Sequence, residues 1–295
     1  MTNDMTRGRI LPQLISFTIP LVLGNLFQLT YNAADSMIVG RYLGGQALAA
    51  VGTAGPIMNL AILFISGMCM GAGILMSTQY GAKQQDVLER QISTTLLSGL
   101  VFSFFVTLSM MVLAKPVLTL IRVPEEILDS ACGYLRIIFT GFLFTFAYNF
   151  FSSTLRALGD SKASLYFLVI SSVFNIAGDL LFVAVFRWGV NGSALATVLS
   201  QMICCLCCMI YIQKKVPLLR LGKRWLIFDK CLLSRTFSFG ITSALQLMCV
   251  QLGKVCVQSM VNMQGIAFMA AFTAVNRVDD FALTPQQNIA LSLIH

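Results

Sequence analysis

The stretch ILPQLISFTIPLVLGNLFQLTYNAADSMIVG, residues 10 to 40, holds a single charged side chain, Asp35, in 31 positions. About 20 predominantly apolar residues cross the hydrocarbon core of a bilayer as an α-helix, so this stretch predicts a membrane helix over about 12–40. A second acid, Asp179, interrupts the 24-residue apolar run from Ala163 to Phe186 in the same way. An ionised carboxylate at the centre of a membrane helix costs roughly 2.5 to 3.5 kcal/mol on insertion scales, and ionisable residues inside spans mark functional pathways by default. Asp35 and Asp179 are therefore the first candidate site residues.

The rest of the chain repeats the pattern of long uncharged runs. It is 57% hydrophobic and 11% charged with a mean hydropathy of +0.81, whereas soluble domains carry about 25% charged residues. The expected fold is all-α and polytopic, with eight spans at about 12–40, 50–78, 91–114, 131–155, 163–186, 190–213, 236–260 and 265 to the end. A net charge of +8 would suggest nucleic acid in a soluble protein, but here it follows the positive-inside rule. With the N-terminus inside, thirteen of the twenty Lys and Arg fall in the tail and inner loops, from Arg7 and Arg9 to the seven between Lys214 and Arg235. A multi-pass protein of the plasma membrane with a cytoplasmic N-terminus follows, whose surroundings are lipid rather than nucleic acid. The first apolar run is too long for a cleavable signal.

Helix 7 of this reading resembles helix 1 at an offset of 218. Leu14, Ser16, Thr18, Gln28 and Leu29 recur as Leu232, Ser234, Thr236, Gln246 and Leu247. Six helices return the chain to its starting side, so the second copy makes a parallel repeat. Residues 1–213 then form a first six-helix lobe, 214–235 a basic interfacial linker with the apolar patch Trp225 to Phe228, and 236–295 the start of a second lobe. Only two of that lobe's six helices are present, and the chain reads as truncated at His295.

Polar residues inside the spans cluster by helical spacing. Gln28, Tyr31, Asn32 and Asp35 lie at i, i+3, i+4 and i+7 on one face of helix 1, and Asn175 and Asp179 share a face of helix 5. At about 1.5 Å per residue, Asp35 lies about 9 Å before Arg41, Asp179 about 12 Å before Arg187, and Thr197 a similar depth below Asn191. Oxygen groups from three helices are thus expected at one level in the outer half, where they can hold protons or a hard cation such as Na⁺. Pro20 interrupts the backbone ladder about four turns below Asp35; it reads either as a hinge or as a static kink. Gly67 and Gly71 form a GxxxG pair that points to close helix packing. Cys204, Cys205, Cys207 and Cys208 sit among Met and Leu within helix 6, and the one histidine is His295. They read as small packing residues rather than a metal site.

At this point the sequence resembles the multidrug and toxic compound extrusion (MATE) family of secondary transporters. The matching stretches are Pro20 to Gly52, Arg122 to Ile137 (RVPEEILDSACGYLRI), Leu155 to Lys162 (LRALGDSK), Asn175 to Asp179 (NIAGD) and Trp188 to Thr197 (WGVNGSALAT). The resemblance implies a twelve-helix fold of two six-helix lobes around a cleft, working by alternating access as a monomeric H⁺- or Na⁺-coupled antiporter. Its cargo would be small organic compounds, cationic and aromatic, and no cofactor beyond the coupling ion is implied. The family's first-lobe cation site corresponds here to Asp35, Asn175, Asp179 and Thr197, with Gln28, Tyr31 and Asn32 in support and Pro20 as the helix 1 proline. Some members carry an essential Glu on helix 7. This chain has no acid between Asp229 and Asp279, and Gly253 stands at the repeat equivalent of Asp35. Lys254, Arg277, Asp279 and Asp280 form a possible second-lobe polar site.

Three other readings compete. An intramembrane aspartyl protease also places two Asp on two helices, but Asp35 follows Ala34, and Ile176 stands where that enzyme's GxGD pattern needs its first glycine. A flippase for lipid-linked precursors is closer, with Lys254 and Arg277 as cationic groups. An inactive truncated fragment is the third. Ser/His/Asp or Cys/His chemistry is excluded because the sole histidine is terminal, and no enzyme activity is expected.

Overall fold

The structure is a computed structural model that describes residues 10–120, 123, 125–216 and 227–262. Among them every regular element is helical. Helix α1 runs Ile10–Gly81, 72 residues, but leaves helical geometry at Gly44 (φ 83°, ψ −175°), a backbone region that only glycine enters at little steric cost. Gly44 therefore divides α1 into an N-terminal arm carrying Asp35 and a C-terminal arm ending at Gly81. The remaining helices are α2 (Gln85–Leu120), α3 (Glu125–Thr140), α4 (Phe142–Ala157), α5 (Ser161–Asp179), α6 (Gly189–Lys215) and α7 (Lys230–Asn262). Between α5 and α6 a π-helical turn spans Leu180–Val185.

Among the described residues, four helical stretches are long and apolar enough to cross a membrane: Ala50–Gly81, Gln85–Leu120, Ser161–Val185 and Gly189–Lys215. Helices α3 and α4, bent by 47° to each other, together make a fifth. The expected fourth span is thus a broken one. At the break Gly141 packs against Val198 so closely that any side chain there would meet the valine methyls. The expected eighth span lies outside the described residues.

Short signals set the joints. Gly159 (φ 83°) closes α4, and Asp160 caps α5 by accepting the Ala163 N–H at 3.1 Å, the paired C-terminal and N-terminal stops that a Gly-Asp step provides. Asp160 also accepts the Tyr211 hydroxyl at 2.7 Å, which ties the start of α5 to the end of α6. Buried Phe139, Phe142, Phe146, Phe150 and Phe151 fill the centre of the bundle from α3 and α4. Outward-facing Phe104, Phe105, Val112, Val173 and Val185 are exposed, as expected of a surface in contact with acyl chains.

Small residues join α7 to the first six helices. A Cβ at Gly67 would strike the Ala244 backbone, and one at Gly71 the Gly240 backbone, so the GxxxG pair meets α7 backbone to backbone. Gln91 donates to Thr236 beside this contact. Replacing Gly71 by Val should therefore destabilise the protein by about 1–3 kcal/mol, read as a lower melting temperature of the purified protein in detergent.

Candidate functional site

Three elements converge on the two acids: the N-terminal arm of α1, the end of α5 and the first two turns of α6. Asp35, half-buried, accepts the Ser193 hydroxyl at 2.9 Å. Asn175 is 2% exposed and donates through Nδ2 to Thr197 Oγ1 at 3.2 Å. Asp179 is fully buried, with the carboxyl of Asp35 and the hydroxyl of Ser193 beside it. Ser193 has one hydrogen to offer the two carboxyl groups beside it. Both oxygens of Asp179 and Oδ1 of Asn175 are buried, and no hydrogen bond of good geometry reaches them among the described residues.

Local sequence explains why the helices come this close. A Cβ at Gly178 would sit 3.0 Å from Ala196 Cβ, and one at Gly192 would sit 3.1 Å from Phe182. Glycine and alanine at the crossing let α5 and α6 bring their polar side chains into reach. Asp179 ends the regular part of α5, and the π turn begins at Leu180. Such turns insert one residue into the helical repeat and re-aim the side chains around it. Arg187 (φ 55°) and Gly189 (φ 66°) then reverse the chain, held by Trp188, whose N–H bonds the Phe182 carbonyl at 3.0 Å and whose ring stacks on Phe182.

The supporting residues divide. Gln28 and Tyr31 bond each other, and Tyr31 lies within electrostatic reach of Asp35. Gln28 and Asn32 are exposed, on the side of α1 that the described helices leave open. Pro20 is buried, and helical geometry continues through it; the departure in α1 is at Gly44. Lys254 lies on α7, but its side chain is outside the described residues, as are Arg277, Asp279 and Asp280 altogether. Cys204 donates to the Phe167 carbonyl at 3.2 Å and, with Cys205 and Cys208, is buried in the core. No grouping of metal-binding side chains occurs among the described residues.

Two residues at this site are absent from the sequence reading. Ser193 sits one helical turn before Thr197, so the i, i+4 rule applied to α6 points to it. Tyr134 on α3, 3% exposed, lies within electrostatic reach of Asp35, Asp179 and Tyr31. The broken fourth span hides its direction, because a bend between α3 and α4 shifts the face that a straight helix would present.

The arrangement suits a cation. Two neighbouring carboxyl groups repel when both are ionised, and a proton or a metal cation between them removes that repulsion. Asn175 Oδ1 adds a neutral oxygen of the kind hard cations accept. In comparison with known proteins, the MatE family model matches residues 20–181. The chain belongs to the MatE family.

Its relatives include the probable multidrug resistance protein YpnP of Bacillus subtilis (strain 168), 35% identical over 288 residues, covering 96% of this chain and 63% of the relative. The probable multidrug resistance protein YoeA of the same organism is 31% identical over 300 residues, covering 99% of the chain and 65% of that relative. The chain thus spans somewhat under two thirds of the length of these MatE relatives. A solved MATE structure in the bent conformation superposes with a TM-score of 0.91 at 23% identity, covering 99% of this chain and 65% of the other. It shares the fold. Membership of a transporter family sets aside the protease reading.

Within the site, Ser193→Ala removes the donor to Asp35 and should cost about 1.5–3 kcal/mol, the value of a hydrogen bond to a charged group. Thr197→Val removes the acceptor of Asn175 and should cost about 1 kcal/mol. Thermal unfolding of the purified protein measures both, with the larger drop expected for Ser193→Ala.

Proposed function

We propose that this chain forms the ion-coupling part of a multidrug exporter, a secondary antiporter that moves cationic and aromatic organic compounds out of the cell by alternating access. The observation that carries this reading is the fully buried Asp179, whose two oxygens lack donors beside Asp35 and Asn175. Asp35, Asn175, Asp179 and Thr197 hold the coupling ion, H⁺ or Na⁺. Ser193 and Tyr134 orient the carboxyl groups, and Gln28, Tyr31 and Asn32 line the open side of the α1 arm. Burying unpartnered acceptors is costly, and a cation that binds there offsets the cost. The site therefore has two states of different charge, as ion coupling requires.

Residues 1–213 act as the first lobe in this reading, 214–235 as the cytoplasmic linker and 236–295 as part of the second lobe. The protein works as a monomer in the plasma membrane with its N-terminus inside. Lys254, Arg277, Asp279 and Asp280 contribute a second-lobe polar site. Pro20 acts as the hinge through which ion binding at Asp35 bends the α1 arm.

In proteoliposomes with an imposed H⁺ or Na⁺ gradient, efflux of a cationic dye should collapse at least about tenfold in both Asp35→Asn and Asp179→Asn, the scale of losing one charge-assisted contact. Ion-driven efflux retained by either variant would refute the site. Pro20→Ala should slow transport while leaving ion affinity in place; an unchanged rate would assign Pro20 to a static kink.

A further inference from the structure

A cavity lies between the C-terminal arm of α1, α2, α4 and α7, separate from the paired acids. Its volume is about 440 Å³, within the 300–1,000 Å³ typical of ligand pockets. Phe64, Phe102, Phe146 and Phe237 form its walls, and Lys230 and Ser234 stand at one end. Phe102 and Phe237 are half-exposed, so the cavity opens sideways, where acyl chains surround the bundle. Phe64 is 17 residues before the end of α1 at Gly81, about 25 Å along the helix. Lys230 is the first residue of α7, at the end of the bundle where α1 and α2 meet. The cavity therefore runs from a cation at the helix ends to aromatic rings deep in the span.

The polar groups along it are already used. Thr95 bonds the Gln91 carbonyl at 2.8 Å, Ser98 the Thr95 carbonyl at 3.1 Å and Thr236 the Leu232 carbonyl at 2.8 Å. No acidic side chain lines it among the described residues. The nearest acid in sequence, Asp229, caps α7 by accepting the Cys231 and Leu232 N–H groups at 2.9 and 3.3 Å. A cationic drug would meet the Lys230 ammonium with no counter-charge, which disfavours it. An anionic amphiphile meets a matching charge at the mouth and apolar walls below it. Exposed Lys83, Arg90, Lys214 and Arg235 lie near the same helix ends and raise the local concentration of anionic lipid.

We infer that this cavity binds one anionic phospholipid of the leaflet facing the α1–α2 turn, with its headgroup phosphate on Lys230 and an acyl chain along Phe237, Phe102 and Phe64. The bound lipid packs α7 against the first six helices at the junction that Gly67 and Gly71 form.

Titration of the purified protein with dioleoylphosphatidylglycerol and dioleoylphosphatidylcholine, followed by native mass spectrometry, tests this. The wild type should bind the phosphatidylglycerol more tightly. Lys230→Ser should weaken that binding about fivefold, the effect of one Lys at an anionic surface, while leaving phosphatidylcholine unchanged. Ser98→Phe, which fills the cavity, should weaken both lipids. Equal affinity of wild type and Lys230→Ser for phosphatidylglycerol would overturn the inference, and so would displacement of the lipid by ethidium. Neither variant touches Asp35 or Asp179, so failure here leaves the ion site standing, and failure of ion-coupled efflux leaves the lipid site standing.

Discussion

Hydrocarbon offers no hydrogen bonds, and this constraint organises the bundle. Every polar group inside the spans must find its partner within the protein or carry an energetic cost. Most serine and threonine hydroxyls do so locally, bonding the carbonyl one turn back, as Thr95, Thr154, Ser172, Thr236 and Ser243 do. Others join helices, as Ser153 does to the Cys69 carbonyl and Ser66 to Asn149. Asp179 departs from the rule with both carboxylate oxygens at once. This unpartnered pair of oxygens is the observation on which the proposed ion site rests.

Close helix approach is the second condition, and small residues provide it. Gly178, Gly192 and Ala196 let α5 and α6 bring Asn175 to Thr197 and Asp179 to Ser193, while Gly67 and Gly71 let α7 sit on α1. The same device thus serves two ends. At one crossing it brings the buried polar side chains together, and at the other it joins helices that the sequence repeat assigns to different lobes. Van der Waals packing of this kind replaces the hydrophobic effect as the force between helices in lipid.

The paired acids and the aromatic cleft differ in sign: the first presents Asp35 and Asp179, the cleft near α7 presents Lys230 and no acid among the described residues. Under the proposed roles, this separation of opposite charges along one bundle keeps the coupling ion and the lipid apart. Charge complementarity discriminates between ligands that share apolar bodies.

Much was legible in the sequence. Apolar run length determined an all-helical membrane protein, because only a helix satisfies its own backbone in lipid. Spacing put Asn175 and Asp179 on one face, and matching depths brought Asp35 and Thr197 to their level. What sequence could not supply was direction across breaks. The turn at Gly44, the bend at Gly141 and the π turn after Asp179 each rotate the following segment, and no local residue pattern fixes the angle. Tyr134 could be placed at the site only once those rotations were known. The tertiary structure alone decided that Asp35, Asp179 and Ser193 meet, with Asp179 fully buried among them, because helical spacing orders residues along one helix while only packing settles which side chains of separate helices face each other.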